Sequence, residues 1–116
     1  MRVKGGPKAK NRRKRILKKT EGFRGRTRNT AIAAAEALDR AMQYNYRDRK
    51  VLKREMRSLW ITRLTAASRE RGLAYSALIR SLQDKNIGLN RKMLADLAAT
   101  EPKVFNQVLK AAGLIA

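Results

Sequence analysis

The positively charged side chains of the first thirty residues are the groups in this sequence best suited to chemistry, and that chemistry is the neutralisation of anions. Thirteen lysines and arginines stand there against one acid, Glu21, which gives the segment a net charge of +12. The thirteen are Arg2, Lys4, Lys8, Lys10, Arg12, Arg13, Lys14, Arg15, Lys18, Lys19, Arg24, Arg26 and Arg28. Like charges at this density repel one another, and the segment has little apolar surface to bury in compensation. It therefore needs a dense polyanion, and nucleic acid fits because each neutralised phosphate releases a condensed counterion.

The whole chain is basic and lacks the residue types on which most enzymes depend. Its 116 residues carry a formal net charge of +20 and include neither cysteine nor histidine. The usual soft metal ligands and acid–base groups are therefore missing, and no glycine-rich phosphate loop precedes a helix. We expect one domain at most, preceded by the basic extension. We also expect no enzyme, and hence no catalytic residue, metal site, cofactor or small-molecule substrate.

The basic segment does not have the pattern of a membrane or targeting sequence. The longest apolar run in the first half covers residues 31–35, far short of a membrane span. Cations surround residues 8–20, where only Ile16 and Leu17 could form an apolar face. This pattern disfavours a cleaved organelle presequence and a membrane-surface helix. The absence of cysteine fits a reducing cytosol, so we expect a cytoplasmic protein without a membrane partner.

Helices are expected to carry these cations. Residues 8–20 contain no helix breaker, and Gly22 and Gly25 predict a bend around Phe23. Residues 26–71 contain neither glycine nor proline and are rich in helix formers. They predict one long helix of roughly 70 Å, and any kink in it is expected at residues 27–30.

Three short amphipathic helices are predicted after Gly72, which ends the long helix. The first and second of these helices are expected to have their N-caps at Ser76 and Asn90. The third is expected to open at Thr100 followed by Pro102. The expected inward-facing residues are Leu78, Ile79 and Leu82, then Met93, Leu94 and Leu97, then Val104, Phe105, Val108, Leu109 and Ala112. The predicted fold is all-α, with a long basic N-terminal arm and a long helix leading into a small C-terminal helical domain. We place the boundary of that domain between residues 58 and 59.

A basic stripe runs along the middle of the long helix. At 100° per residue, Lys50, Lys53, Arg54 and Arg57 fall within about 100° of one another. A neighbouring apolar face carries Leu52, Met56, Leu59 and Trp60, and an acidic edge carries Asp48 and Glu55. A solvated helix face normally mixes signs for i,i+4 pairing, and this basic stripe does not. It therefore predicts a row of phosphate contacts along an RNA backbone or groove edge.

Other candidate RNA-binding residues flank the basic stripe or follow it. They are Tyr44, Tyr46, Arg47, Arg49, Arg63, Arg91 and Lys92. The tyrosine rings could stack on unpaired bases, or they could pack on the helix surface and on arginine stems. Trp60 is interpreted as a core residue, since it shares a side with Leu52, Met56 and Leu64. Arg63 projects near the apolar face, where its stem could pass Trp60 or its head could reach a phosphate.

A family resemblance rests on the middle of the chain. The signature of the bacterial large-subunit ribosomal protein family number twenty resembles residues 46–50, Tyr-Arg-Asp-Arg-Lys, and residues 53–64, Lys-Arg-Glu-Met-Arg-Ser-Leu-Trp-Ile-Thr-Arg-Leu. The similarity extends to residues 2–4, 22–25, 72–76 and 90–97, and thus covers nearly the whole chain. It implies direct, early binding to the large-subunit (23S) ribosomal RNA, with the arm threaded into folded RNA and the small domain at the outer surface. It also implies neighbouring large-subunit proteins as partners and a role in assembly.

Two other functions use the same charges. A DNA-compacting protein would lay the basic helix on duplex DNA, but compaction needs bending wedges or repeated groove arms. A single long extension suits a cavity in folded RNA better. A translational repressor, a role that some family members have toward their own messenger RNA, would use the same surface. We expect a structural protein of the ribosome, cytoplasmic or organellar, that does not form a homo-oligomer.

Overall fold

The computed structural model describes residues 5–115, and the regular structure in that range is helical. Its elements are α1 (Lys8–Lys19), a 3₁₀ helix (Gly25–Arg28), α2 (Ala31–Arg69), α3 (Tyr75–Asp84), α4 (Arg91–Thr100) and α5 (Pro102–Ala111). The all-α prediction is confirmed. The chain comprises two compact units, Met1–Lys50 and Val51–Ala116, and the division falls inside α2. The boundary between residues 58 and 59 stays a prediction.

Helix α1 and the bend after it form where the sequence predicts them. The helix begins after Pro7 and ends at Thr20, whose backbone N–H and hydroxyl both donate to carbonyls of the last turn. Thr20 is fully buried, in contrast to the exposed cations before it. Gly22 and Gly25 then take φ values of +86° and +63°, which only glycine adopts without strain. The bend therefore depends on these two glycines.

The long helix begins later than the sequence predicts. Residues Gly25–Arg28 form a 3₁₀ helix, in which the Thr27 hydroxyl donates to the Arg24 carbonyl at 2.6 Å. The first α-helical hydrogen bond of α2 joins the Ala34 N–H to the Thr30 carbonyl at 2.8 Å. The prediction of one helix from residue 26 was wrong by five residues, and the break falls where a kink was expected. The 39 residues of α2 would span roughly 58 Å.

The core of the second unit lies between the end of α2 and helices α3 to α5. Its fully or nearly fully buried residues are Leu64, Ala67, Leu78, Leu82, Leu94, Ala95, Phe105, Leu109 and Ala112. Trp60 is partly buried and packs against this cluster, as its interpretation as a core residue required. Burying a leucine or phenylalanine side chain contributes about 1.5–3 kcal/mol, so this cluster stabilises the last 50 or so residues of the chain.

The apolar face predicted for the middle of α2 is not part of that core. Leu52, Met56 and Leu59 are 56%, 37% and 41% exposed. The core-facing residue Leu64 points about 110° further round the helix than the mean direction of these three. Only the last turns of α2 face α3 to α5, so apolar periodicity further upstream has no helix of this unit to meet. Met93 was also wrongly predicted to face inward, since it is exposed and Ala95 is buried in its place.

The predicted helix caps were right at one of two positions. The Asn90 side chain accepts a hydrogen bond from the Met93 N–H at 2.9 Å and caps α4 as predicted. Ser76 does not cap α3, because that helix begins at Tyr75 and its N-cap is Ala74, two residues before Ser76. A two-residue shift in the helix start places Ser76 inside the helix and out of the capping position. Helix α5 begins at Pro102, as the sequence predicts, but Thr100 is the last residue of α4.

Candidate nucleic-acid interface

The cations of the arm are exposed and have no acidic partner in the part of the chain that the structure describes. Lys8, Lys10, Arg12, Arg13, Lys14, Arg15, Lys18 and Lys19 lie on α1, and Arg24, Arg26 and Arg28 lie in or beside the 3₁₀ helix. Within residues 5–115, none of these side chains comes within 4.0 Å of a carboxylate. Arg2 and Lys4, also predicted to bind RNA, lie outside the described residues. An exposed, unpaired cation is free to neutralise a phosphate.

Both tyrosines upstream of the basic stripe carry a cation over the ring. The Arg47 guanidinium lies 4.7 Å from the centre of the Tyr44 ring, and the Lys50 ammonium lies 4.5 Å from that of Tyr46. Both distances are within the range of a cation–π interaction. Both rings are also more than half exposed. The structure thus shows the tyrosine rings packed against cations of the same helix. These contacts hold the side chains of Arg47 and Lys50, two of the candidate RNA-binding residues.

Arg47 has a second partner, the adjacent carboxylate. Its Nε donates to Asp48 Oδ1 at 2.7 Å, and both side chains are exposed. The hydrogen bond and charge of Asp48 raise the pKa of the Arg47 guanidinium above its ordinary value. Arg49 differs, because its Nη1 donates to the neutral Asn45 Oδ1 at 3.0 Å. The neighbouring arginines therefore have different electrostatic surroundings although both were predicted to contact RNA.

The basic residues of the second unit separate into exposed cations and packed ones. Lys53, Arg54 and Arg57 of the basic stripe are exposed, as are Arg63 and Lys92. Among residues 5–115 none of these five makes an ion pair. They remain candidates for phosphate contacts.

Arg91, in contrast, has a structural contact. It is half-buried, and its Nε donates to the Tyr75 hydroxyl at 2.9 Å. The bond links the first residue of α4 to the first residue of α3. Part of the donor capacity of Arg91 is therefore used to join two helices, and the remainder can still reach an anion.

Arg71 is the packed cation that the sequence did not single out. Its Nε donates to Asn106 Oδ1 at 2.6 Å, and its Nη1 donates to the Ala67 carbonyl at 2.7 Å. Its guanidinium also lies 5.2 Å from the centre of the Phe105 ring. These contacts join the end of α2 to α5. An arginine in the last turn before a glycine indicates a helix end. A hydrogen-bond partner 35 residues away cannot be recognised from the local sequence.

The described residues show neither a metal site nor a membrane span. Within residues 5–115, no three acidic side chains come together closely enough to hold a metal ion. No helix in that range combines the length and apolar character needed to cross a bilayer.

Comparison with known proteins agrees with the motif in the middle of α2. The family model described as ribosomal protein L20 matches residues 2–108. A large ribosomal subunit protein bL20 from Geobacter sulfurreducens is 51% identical over 107 residues, which is 92% of each chain. Its counterpart from Geobacter metallireducens is 49% identical over 111 residues, covering 96% of this chain and 95% of the relative. That from Anaeromyxobacter dehalogenans is 47% identical over 112 residues, covering 97% and 98%.

The matches cover both the arm and the helical domain, and they confirm the resemblance that the sequence motifs indicated. They also confirm the prediction that the chain is not an enzyme, because the matching proteins are ribosomal constituents. The chain belongs to the ribosomal protein L20 family.

Proposed function

We propose that this protein is a structural constituent of the large ribosomal subunit that binds the ribosomal RNA of that subunit directly and promotes an early step of its assembly. The observation that carries the proposal is the set of exposed cations on α1 and the 3₁₀ helix, which have no acidic partner among the described residues. Such a surface requires a polyanion, and membership in a family of large-subunit ribosomal proteins indicates that this polyanion is ribosomal RNA.

The arm acts as the phosphate clamp. Its charge is too dense for a surface in contact with water alone, and α1 contributes no fully buried residue of its own. RNA phosphates around the helix would neutralise cations on every side. A cavity in folded RNA offers such an environment, whereas a duplex presents phosphates to one side only. The arm thus holds together RNA segments that would otherwise repel one another, and this is why binding favours assembly.

The second unit supplies a shape that does not depend on RNA. Its core is closed by buried leucines and Phe105, and Arg71 joins α2 to α5. Lys53, Arg54, Arg57, Arg63 and Lys92 are exposed on this unit and are proposed to contact RNA phosphates from a fixed scaffold. Contacts on a fixed scaffold cost less ordering entropy than contacts from a chain that must fold on binding. The arm therefore neutralises phosphate charge, and the second unit determines the position of the protein on the RNA.

The remaining features of the proposal concern surroundings and partners. We place the protein in the cytoplasmic ribosome, supported by a composition without cysteine and by the bacterial origin of the relatives described above. Neighbouring large-subunit proteins are its other partners. The protein enters the particle as a single copy of the chain and requires no cofactor.

The experiment that tests the proposal compares nucleic acids under one set of conditions. Affinities of the full-length protein are measured by filter binding for large-subunit ribosomal RNA, small-subunit ribosomal RNA and duplex DNA over a range of salt concentrations. We expect the tightest binding to large-subunit RNA, with the difference largest at high salt, where sequence-independent contacts weaken. Equal affinity for the DNA would contradict the proposal and favour a DNA-compacting role.

A variant of the arm tests the same proposal in cells. Lys14→Gln, Arg15→Gln and Lys18→Gln together remove three charges from α1 while leaving helix-forming residues in place. With the native protein depleted and this variant supplied, large-subunit precursors should accumulate on sucrose gradients, while small subunits should form normally. Unchanged large-subunit assembly would show that the arm is not the clamp.

A further inference from the structure

The side chain of Arg47 is held by two neighbours on the same stretch of helix. Its face lies over the Tyr44 ring at 4.7 Å, and its Nε donates to Asp48 Oδ1 at 2.7 Å. A guanidinium is planar and carries five N–H donors. With Nε engaged, the two Nη groups form a fork at the opposite edge. The side chains of Arg47 and Asp48 are 62% and 57% exposed, so solvent and ligands can reach this pair.

The charge of Asp48 makes this fork a poor phosphate site. The Asp48 carboxylate, bonded to the Nε edge of the same guanidinium, would repel a phosphate at the Nη edge. Because Arg47 and Asp48 together carry no net charge, the pair would release few counterions from a nucleic acid. A neutral ligand with two hydrogen-bond acceptors is not repelled in this way. In RNA, the edge of a guanine base meets this description, because O6 and N7 both accept from an arginine fork and this is the commonest specific contact of arginine with a base.

The cations around Arg47 provide an internal comparison. Lys50 also lies over a tyrosine ring, and Arg49 donates to Asn45, which is neutral. Neither makes an ion pair with an acid among the described residues. Their full charge remains available to phosphates. Arg47 therefore differs from its neighbours in charge balance and not in exposure.

We infer that Arg47 is a specificity-determining residue that hydrogen-bonds the O6 and N7 edge of an unpaired or bulged guanine in the ribosomal RNA, with Tyr44 and Asp48 as positioning residues that hold its guanidinium. This inference rests on the proposed function, since it assigns one residue of that interface a role in recognition and not in charge neutralisation. Arg47 then contributes to the choice of RNA, while the surrounding cations contribute to salt-dependent affinity.

The first test separates the fork from the charge. Arg47→Lys keeps the charge and the helix propensity but removes the bidentate geometry. The preference for large-subunit over small-subunit ribosomal RNA should fall by about 5- to 150-fold, the range that one bidentate base contact provides. The matched control is Arg40→Lys, an exposed arginine of the same helix that is not among the candidate RNA-binding residues, and it should keep the preference of the native protein. Circular dichroism of both variants checks that α2 is intact.

The second test measures charge directly. The double variant Arg47→Gln with Asp48→Asn removes the pair without changing the net charge and should reduce the slope of log affinity against log salt by much less than one unit, whereas Arg49→Gln should reduce it by about 0.7–0.9. Asp48→Asn removes the repelling carboxylate. It should steepen the slope by about 0.7–0.9 and raise the affinity for small-subunit RNA, because Arg47 then becomes an ordinary phosphate contact.

The third test identifies the base. Large-subunit RNA is transcribed with 7-deazaguanosine at a few random positions, which removes N7 but leaves Watson–Crick pairing intact. Positions where the substitution blocks binding are then mapped. At least one position should block the native protein and Arg40→Lys but have no effect on Arg47→Lys. Identical maps for all three proteins, or an unaltered RNA preference in Arg47→Lys, would overturn the inference and leave the proposed function standing. A native protein without preference for large-subunit RNA would overturn both.

Discussion

The exposed cations Lys53, Arg54 and Arg57 provide a quantitative test of the basic stripe. All three lie on α2 in the second unit and make no ion pair among residues 5–115. Replacing all three by glutamine keeps the helix propensity, and none of the three contributes to the core. If each neutralises one phosphate, the slope of log affinity against log salt should become shallower by about 2.1–2.7 units. Between about 50 and 200 mM salt, the affinity of the native protein should therefore fall roughly 20- to 40-fold more than that of the variant.

The assay is filter binding of large-subunit ribosomal RNA at four or more salt concentrations. A matched control removes the same total charge elsewhere on the unit, through Lys85→Gln, Lys103→Gln and Lys110→Gln, which are also exposed. The control should change the slope by less than about one unit, because these residues are not predicted to contact RNA. If both triple variants change the slope equally, only the net charge matters and the reasoning about the basic stripe is refuted.

Three further variants test the packing of the second unit by thermal unfolding. Arg71→Lys should lower the free energy of unfolding by about 1–3 kcal/mol, since lysine cannot bond Asn106 and lie over Phe105 with the same geometry; no loss would mean that these contacts are dispensable. Ser68→Ala should raise the free energy of unfolding by about 1 kcal/mol, because the buried Ser68 hydroxyl has no hydrogen-bond partner among the described residues. A loss of stability would instead show that the hydroxyl makes a hydrogen bond. Trp60→Ala should cost about 2 kcal/mol, less than for a fully buried tryptophan, without changing the salt slope; a stable variant that fails to bind RNA would instead place Trp60 in the interface.

The sequence was sufficient for the features that depend on local chemistry. Glycines at 22 and 25 can take positive φ values that other residues avoid, so the bend could be placed in advance. Asn90 precedes an apolar run by the spacing of an N-cap, and its side chain does cap α4. The family motif at residues 46–64 could be recognised from the order of residue types alone.

Features that depend on distant partners could not be predicted in the same way. The periodicity of α2 shows an apolar face at Leu52, Met56 and Leu59, but only the position of the other helices decides which face is covered. The contact between Arg71 and Asn106 joins residues 35 positions apart. The ion pair of Arg47 with Asp48 is different, because its members are adjacent in the sequence. Residues next to each other on a helix do not normally face each other, so the spacing gave no reason to expect it.

The most direct test of the central claim is to crosslink the full-length protein to nucleic acid in living cells with ultraviolet light, purify it under denaturing conditions and sequence what is attached. A structural protein of the large subunit should yield fragments of large-subunit ribosomal RNA, concentrated in a few segments that are close together in the folded RNA. The crosslinked peptides should come from the arm and from α2, where the exposed cations lie. Recovery of genomic DNA, or of RNA spread evenly over all cellular transcripts, would contradict the claim.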